Sequence, residues 1–125
     1  MIEISIWVGN LGKYNEGQRV GDWFTLPHDV DDIMEKIGVK SGTRYEEYEI
    51  FDWEAPEFVD INPYSSISQL NEIAEKLQSL NHLQVKVLEV GLKEGIFNQD
   101  DLLYAIDQVI TGEHNLYVIH SGYED

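Results

Sequence analysis

The chain has 125 residues, 42% of them hydrophobic, which suits one domain or two small ones and suffices to bury a core. Its 24 Asp and Glu stand against 8 Lys and Arg, for a formal net charge of −16. That charge excludes a conventional nucleic-acid binder, which needs a basic face for phosphates, and an electrostatic membrane sensor, which anionic lipid would repel. The lack of cysteine excludes a disulfide framework, a thiolate nucleophile and a Cys-based zinc site. No apolar run approaches the roughly 18 residues of a bilayer span. Residues 1–3 lead straight into an alternating segment and not a signal peptide, so the expected compartment is the cytoplasm.

In chain order, residues 2–8 alternate, with Ile2, Ile4, Ile6 and Val8 on one face, and are expected to form a strand. Residues 9–21 hold four glycines and are expected to form a loop with little regular structure. Residues 22–26 have the content of a second strand, ended by Pro27. A short helix is expected over 29–38, with acids in its first turn, an apolar stripe of Ile33, Met34 and Ile37, and Gly38 as C-cap. Residues 45–53 read as a third strand. After Asn62-Pro63 the period becomes helical: Ile67, Leu70, Ile73, Ala74, Leu77 and Leu80 follow a Ser66/Gln69 capping box. Residues 83–93 suit a helix, although Val85, Val87 and Val90 also suit a strand. Asn98 is placed to cap a helix over 99–110, and 116–120 read as a terminal strand. The expected fold is therefore α+β, highly acidic and elongated: an N-terminal α/β domain with a three-stranded antiparallel sheet (1–62), a helical domain (63–114), and a last strand (115–125) that needs a partner.

Between Tyr45 and Glu75 there is no Lys or Arg. Glu46, Glu47, Glu49, Asp52, Glu54, Glu57, Asp60, Glu72 and Glu75 put nine carboxylates into those 31 residues. Alternate strand residues such as Glu47 and Glu49 would project about 6.6 Å apart on one face, near the phosphate spacing along a nucleic-acid strand. Sixteen charges correspond to about 27 Å of duplex, comparable with the roughly 35 Å diameter of a compact chain of this length. Two readings stay open on residues alone: a solvated face that keeps the protein soluble, and an array that imitates the charge of DNA.

Catalytic and ligand motifs are missing. Asp29-Val30-Asp31-Asp32 lacks the glycine and later Glu of a calcium loop and suits the first turn of a helix. His28, His82, His114 and His120 share no metal-ligand spacing. Gly12-Lys13-Tyr14 fails as a P-loop, the glycine-rich segment after the first strand is not expected to form the helix that a Rossmann turn requires, and no Gly-x-Ser-x-Gly occurs. Neither a catalytic residue, a metal ligand nor a cofactor is indicated. Core packing is the expected task of two of Trp7, Trp23 and Trp53.

Tyr14, Asn15, Gly17, Gly21 and Trp23 satisfy a Tyr-Asn-x-Gly-x-x-x-Gly-x-Trp pattern. Over residues 9–27 the chain thereby resembles the N-terminal domain of the ArdA antirestriction proteins. The similarity continues through 35–38, 45–50 and Asp52, resumes at 64–71, and at 118–121 resembles the first strand of that family's third domain. The resemblance implies a non-enzymatic DNA mimic of bacterial mobile elements that occupies the DNA-binding groove of type I restriction-modification enzymes. It implies Asp29, Asp31, Asp32 and the nine carboxylates of 45–75 as the partner-binding face, and the Tyr14–Trp23 pattern as structural. It also implies a homodimer formed largely through a third domain, which this chain would lack, being a short form or a fragment. An acidic module for another basic protein is the alternative, and a carboxylate-metal enzyme a third, separable by whether divalent cations shift the melting temperature.

Overall fold

The structure, a computed structural model, describes residues 2–112. Its elements are β1 (Ile4–Asn10), α1 (Leu11–Asn15), β2 (Gly21–Leu26), α2 (Val30–Ile37), β3 (Tyr48–Glu54), α3 (Ile67–Gln78), α4 (His82–Lys93) and α5 (Leu102–Thr111). The fold is α+β, with a three-stranded antiparallel sheet in the order β2-β1-β3. Alternation along β1 divides the sheet into two faces. Ile4, Ile6 and Val8 point inward and are buried, as are Phe24 and Leu26 on β2 and Ile50 on β3. Ser5, Trp7 and Gly9 point outward, opposite Thr25, Trp23 and Gly21 of β2.

On the inner side α2 packs through Ile33 and Ile37. Its ends are those expected: the Asp29 side chain accepts from the Asp31 amide, and Gly38 closes the helix at φ 76°. The helical half joins the same core, because Leu70, Ala74 and Leu77 of α3 and Ala105, Ile106 and Val109 of α5 are buried in one cluster with the sheet residues. Polar clasps hold α3 to the chain after β2. Asn71 accepts from the His28 amide at 3.0 Å and donates to the His28 carbonyl at 2.7 Å, while Gln78 donates to the Leu26 carbonyl.

Several boundaries move. β1 runs two residues further than expected, because Gly9 and Asn10 still pair with Glu49 and Tyr48. The glycine-rich loop contains a helix: Asn10 accepts from the Lys13 amide and thereby caps α1. β3 starts at Tyr48, so Glu46 and Glu47 precede the strand, and Glu47 does not share it with Glu49 as expected. Ser66 caps α3 as expected, but the reciprocal capping box is at Asn81 and Gln84 of α4. Segment 83–93 resolves as helix: Val87, Leu88, Gly91 and Leu92 form its buried side, Val85 and Val90 are only half-buried, and the helix packs against α5. α5 begins three residues late: Asp101 is its cap, and Asn98 instead turns the chain by accepting from the Asp100 amide. The strand expected at 116–120 lies outside the described residues.

Candidate partner-binding surface

None of the twelve candidate carboxylates is buried. Asp29, Asp31, Glu46, Glu47, Asp52, Glu54, Glu57, Asp60, Glu72 and Glu75 are exposed, and Asp32 and Glu49 are half-buried. They occupy separate elements. Glu49, Asp52 and Glu54 face outward along β3, opposite Gly9, Trp7 and Ser5, with an irregularity at Phe51 between Glu49 and Asp52. Asp52 and Glu54 are thus the pair that two-residue strand spacing holds about 6.6 Å apart. Asp29 and Asp31 start α2, in the layer on the other side of the sheet. Glu57 borders an open hollow of about 940 Å³ with Phe58, Lys86 and Lys93, and Asp60 lines a smaller one beside it with Trp53. Glu72 and Glu75 are on the exposed side of α3.

Among the described residues, Asp32 alone of these twelve is in an ion pair. Its carboxylate accepts from His28 Nε2 at 2.6 Å and from Lys36 Nζ at 2.9 Å. The hydrogen bond from His28, followed by that from Lys36, holds its carboxyl below the usual aspartate range. The other two ion-paired acids lie outside the predicted set. Glu16 binds Arg44 at 2.7 Å and accepts from the Tyr45 hydroxyl, which raises the Tyr45 pKa. Asp107 binds Lys76 at 2.6 Å and raises the pKa of that lysine. Among the described residues no cluster of His, Asp and Glu is placed to hold a metal ion, and no helix is long and apolar enough to cross a membrane.

The tryptophans depart from expectation. None of the three is buried: Trp23 is 42% exposed, Trp53 38%, and Trp7 is half-buried on the outer face. Parity carries the reason for two of them, since Trp7 is out of phase with Ile4, Ile6 and Val8, and Trp23 with Phe24 and Leu26; Trp53 is in register with the inward Ile6 and lines an open hollow instead. Trp7 meets Phe51 edge-on at 5.7 Å, Phe51 meets Tyr14 at 4.8 Å, and the Arg19 guanidinium lies 4.9 Å from the Trp7 ring centroid. The Trp7 indole lies across Gly9 and Gly21: a Cβ at Gly21 would stand 2.5 Å from Trp7 Cη2, and one at Gly9 would stand 2.8 Å from Trp7 Cζ3. Gly17, by contrast, has open space around it and a φ of +86°. Asn15 ends α1 and is exposed. The Tyr14 and Gly21 positions of the sequence pattern therefore meet at one aromatic patch, and Trp23 stands opposite its Trp7 on the neighbouring strand.

A family model for the antirestriction protein ArdA matches residues 6–121. The chain belongs to the ArdA antirestriction family. The match takes in the sheet from Ile6 of β1 onward, its aromatic patch and the five helices of the described residues. No curated protein matches the chain.

Sequence reasoning missed Asn10. It is fully buried, its amide nitrogen donates to the Ile37 carbonyl at 3.0 Å and its oxygen caps α1, so one side chain ties β1, α1 and the end of α2 together. Only a polar residue closing an otherwise apolar strand hinted at it.

Proposed function

We propose that this ArdA chain is a DNA mimic that acts in the bacterial cytoplasm. Its acidic surface occupies the DNA-binding groove of a type I restriction-modification enzyme and so protects incoming unmodified DNA. The observation that carries this reading is the absence of compensation: among the described residues, eleven of the twelve candidate carboxylates have no ion-pair partner, and ten of the twelve are exposed. Such carboxylates are free to meet the Lys and Arg that otherwise grip phosphate. Their complementarity chiefly supplies steering and discrimination between partners, and it weakens as salt rises. Mutual repulsion among the acids opposes folding, and the continuous apolar core offsets it.

The test is a titration of the chain into a purified type I methyltransferase core that holds labelled target DNA, repeated over a salt series. Displacement that falls with salt is the expected result. If no displacement occurs while a longer ArdA protein displaces the DNA under the same conditions, this surface is not sufficient and the reading fails.

A further inference from the structure

The outer face of the sheet is open along its β2 edge. Among the described residues, no ring, cation or side-chain hydrogen bond engages the Trp23 indole, although it stands directly opposite Trp7 on the neighbouring strand. Trp7 is already covered, by Arg19 on its face and Phe51 at its edge. The helices α2 and α3 contribute their buried residues to the inner core, and on the outer face the short α1 and Arg19 reach Phe51 and Trp7 but make no ring or cation contact with Trp23 among the described residues. Exposed indole costs free energy in water, and tryptophan is enriched among the few residues that dominate protein interfaces.

Charge decides what could cover it. Glu49, Asp52 and Glu54 line the outer face of β3, and Asp22 precedes Trp23. This rim repels nucleic acid, anionic lipid and acidic proteins alike, and attracts a cationic surface. The chain's own cations already show how aromatic rings in this setting are used. Arg19 sits over Trp7 at 4.9 Å, and Lys13 and Arg44 approach the Tyr45 ring at 5.2 and 5.8 Å. A guanidinium over an indole gains from the ring quadrupole, and nearby carboxylates add to the attraction.

We propose that the outer face of the sheet is the anchoring contact for a basic protein partner, an arginine of which stacks on Trp23 as Arg19 stacks on Trp7. The anchor rests on the reading of a groove lined by Lys and Arg, and it adds to that reading an apolar, geometry-dependent contact that charge alone does not supply. Carboxylates then steer the encounter, while the indole slows dissociation.

The experiment compares wild type, Trp23→Ala, Trp23→Phe and the double variant Asp52→Asn/Glu54→Gln for displacement of labelled DNA from the methyltransferase core at low and high salt. Melting temperature and oligomeric state are measured for each. Trp23→Ala is expected to weaken displacement about 30-fold, the scale of an interface hot spot, with the salt dependence of wild type because no charge is removed. Trp23→Phe should recover most of the loss, since phenylalanine keeps a ring face for the cation. The carboxylate variant should instead flatten the salt dependence. Displacement by Trp23→Ala within about twofold of wild type, a small fraction of a hot-spot effect, overturns the anchor while leaving salt-sensitive mimicry intact. A lowered melting temperature with unchanged displacement shows that the chain's own remaining residues cover Trp23, and loss of a dimer shows that a second copy does; either overturns the proposal. Failure of wild type itself refutes the mimic reading, and the anchor falls with it.

Discussion

Replacing Gly21 by alanine tests the packing of the aromatic patch. A Cβ there would stand 2.4 Å from the Val8 carbonyl oxygen and 2.5 and 2.7 Å from two atoms of the Trp7 ring. Real Cβ contacts essentially never fall below 3.0 Å, so the ring must swing away and β1 must shift. Gly21 does not have a positive φ, so the cost comes from space and not from backbone conformation. Overpacking against a strand costs about 1–3 kcal/mol, and losing the Phe51 edge contact and the Arg19 stack adds about 1 kcal/mol. The expected loss is therefore about 3 kcal/mol, or roughly 10 °C in melting temperature for a chain of this size. Urea denaturation with a calorimetric melt measures it. In a Trp7→Ala background the same substitution should cost less, and the difference separates the ring from the Val8 carbonyl as obstacle. Gly17→Ala serves as control: with nothing within 4 Å, only its φ of +86° is at stake, worth about 1–2 kcal/mol. A Gly21→Ala variant within about 0.5 kcal/mol of wild type, the range of a neutral surface change, would refute the packing described here.

Asn10→Ala removes the α1 cap and leaves the Ile37 carbonyl without its side-chain partner, so stability in urea should fall by about 2–3 kcal/mol; a change under about 0.5 kcal/mol would show that water replaces both bonds. Reversing Glu49, Asp52 and Glu54 to Lys should weaken displacement of DNA from the methyltransferase core at least about tenfold at low salt, because attraction becomes repulsion. Unchanged displacement places the contact on another element. The Asp32 pKa is lowered in the fold by His28 first and Lys36 second, so its contribution is present above the unfolded aspartate value of about 4 and is lost as pH falls through the lower folded value. The melting-temperature gap between wild type and Asp32→Asn should accordingly hold at neutral pH and close in acid below about pH 4; a gap that persists at the acid end would contradict the ion pair.

Much of the framework was legible because it follows from local periodicity. The inward isoleucines of β1, the Asp29 and Gly38 ends of α2, and the helical stripe from Ile67 to Leu77 each result from residues a few positions apart. Where two local signals competed, long-range contact chose. The valines of 85–90 suit strand or helix, and the helix is the form in which Val87 buries together with Leu88, Gly91 and Leu92; Asn98 and Asp101 can both cap, and Asp101 accepts from the Tyr104 amide at the observed start of α5. The tryptophans show the same limit from the other side. Their parity was in the sequence, but aromatic content suggested core, and only the assembled sheet put Trp7 across Gly21 with Arg19 over it and left Trp23 open.

The sequence by itself determined the sign and abundance of charge, the α+β pattern and the motif of the ArdA family, because these depend on composition and short spacings. Tertiary structure alone decided which carboxylates stay unpaired, how Asn10 joins three segments, and which strand residues share the outer face. Those properties depend on pairs such as Trp7 with Trp23 and Lys76 with Asp107, which are distant along the chain and meet only when strand register and helix packing bring them together.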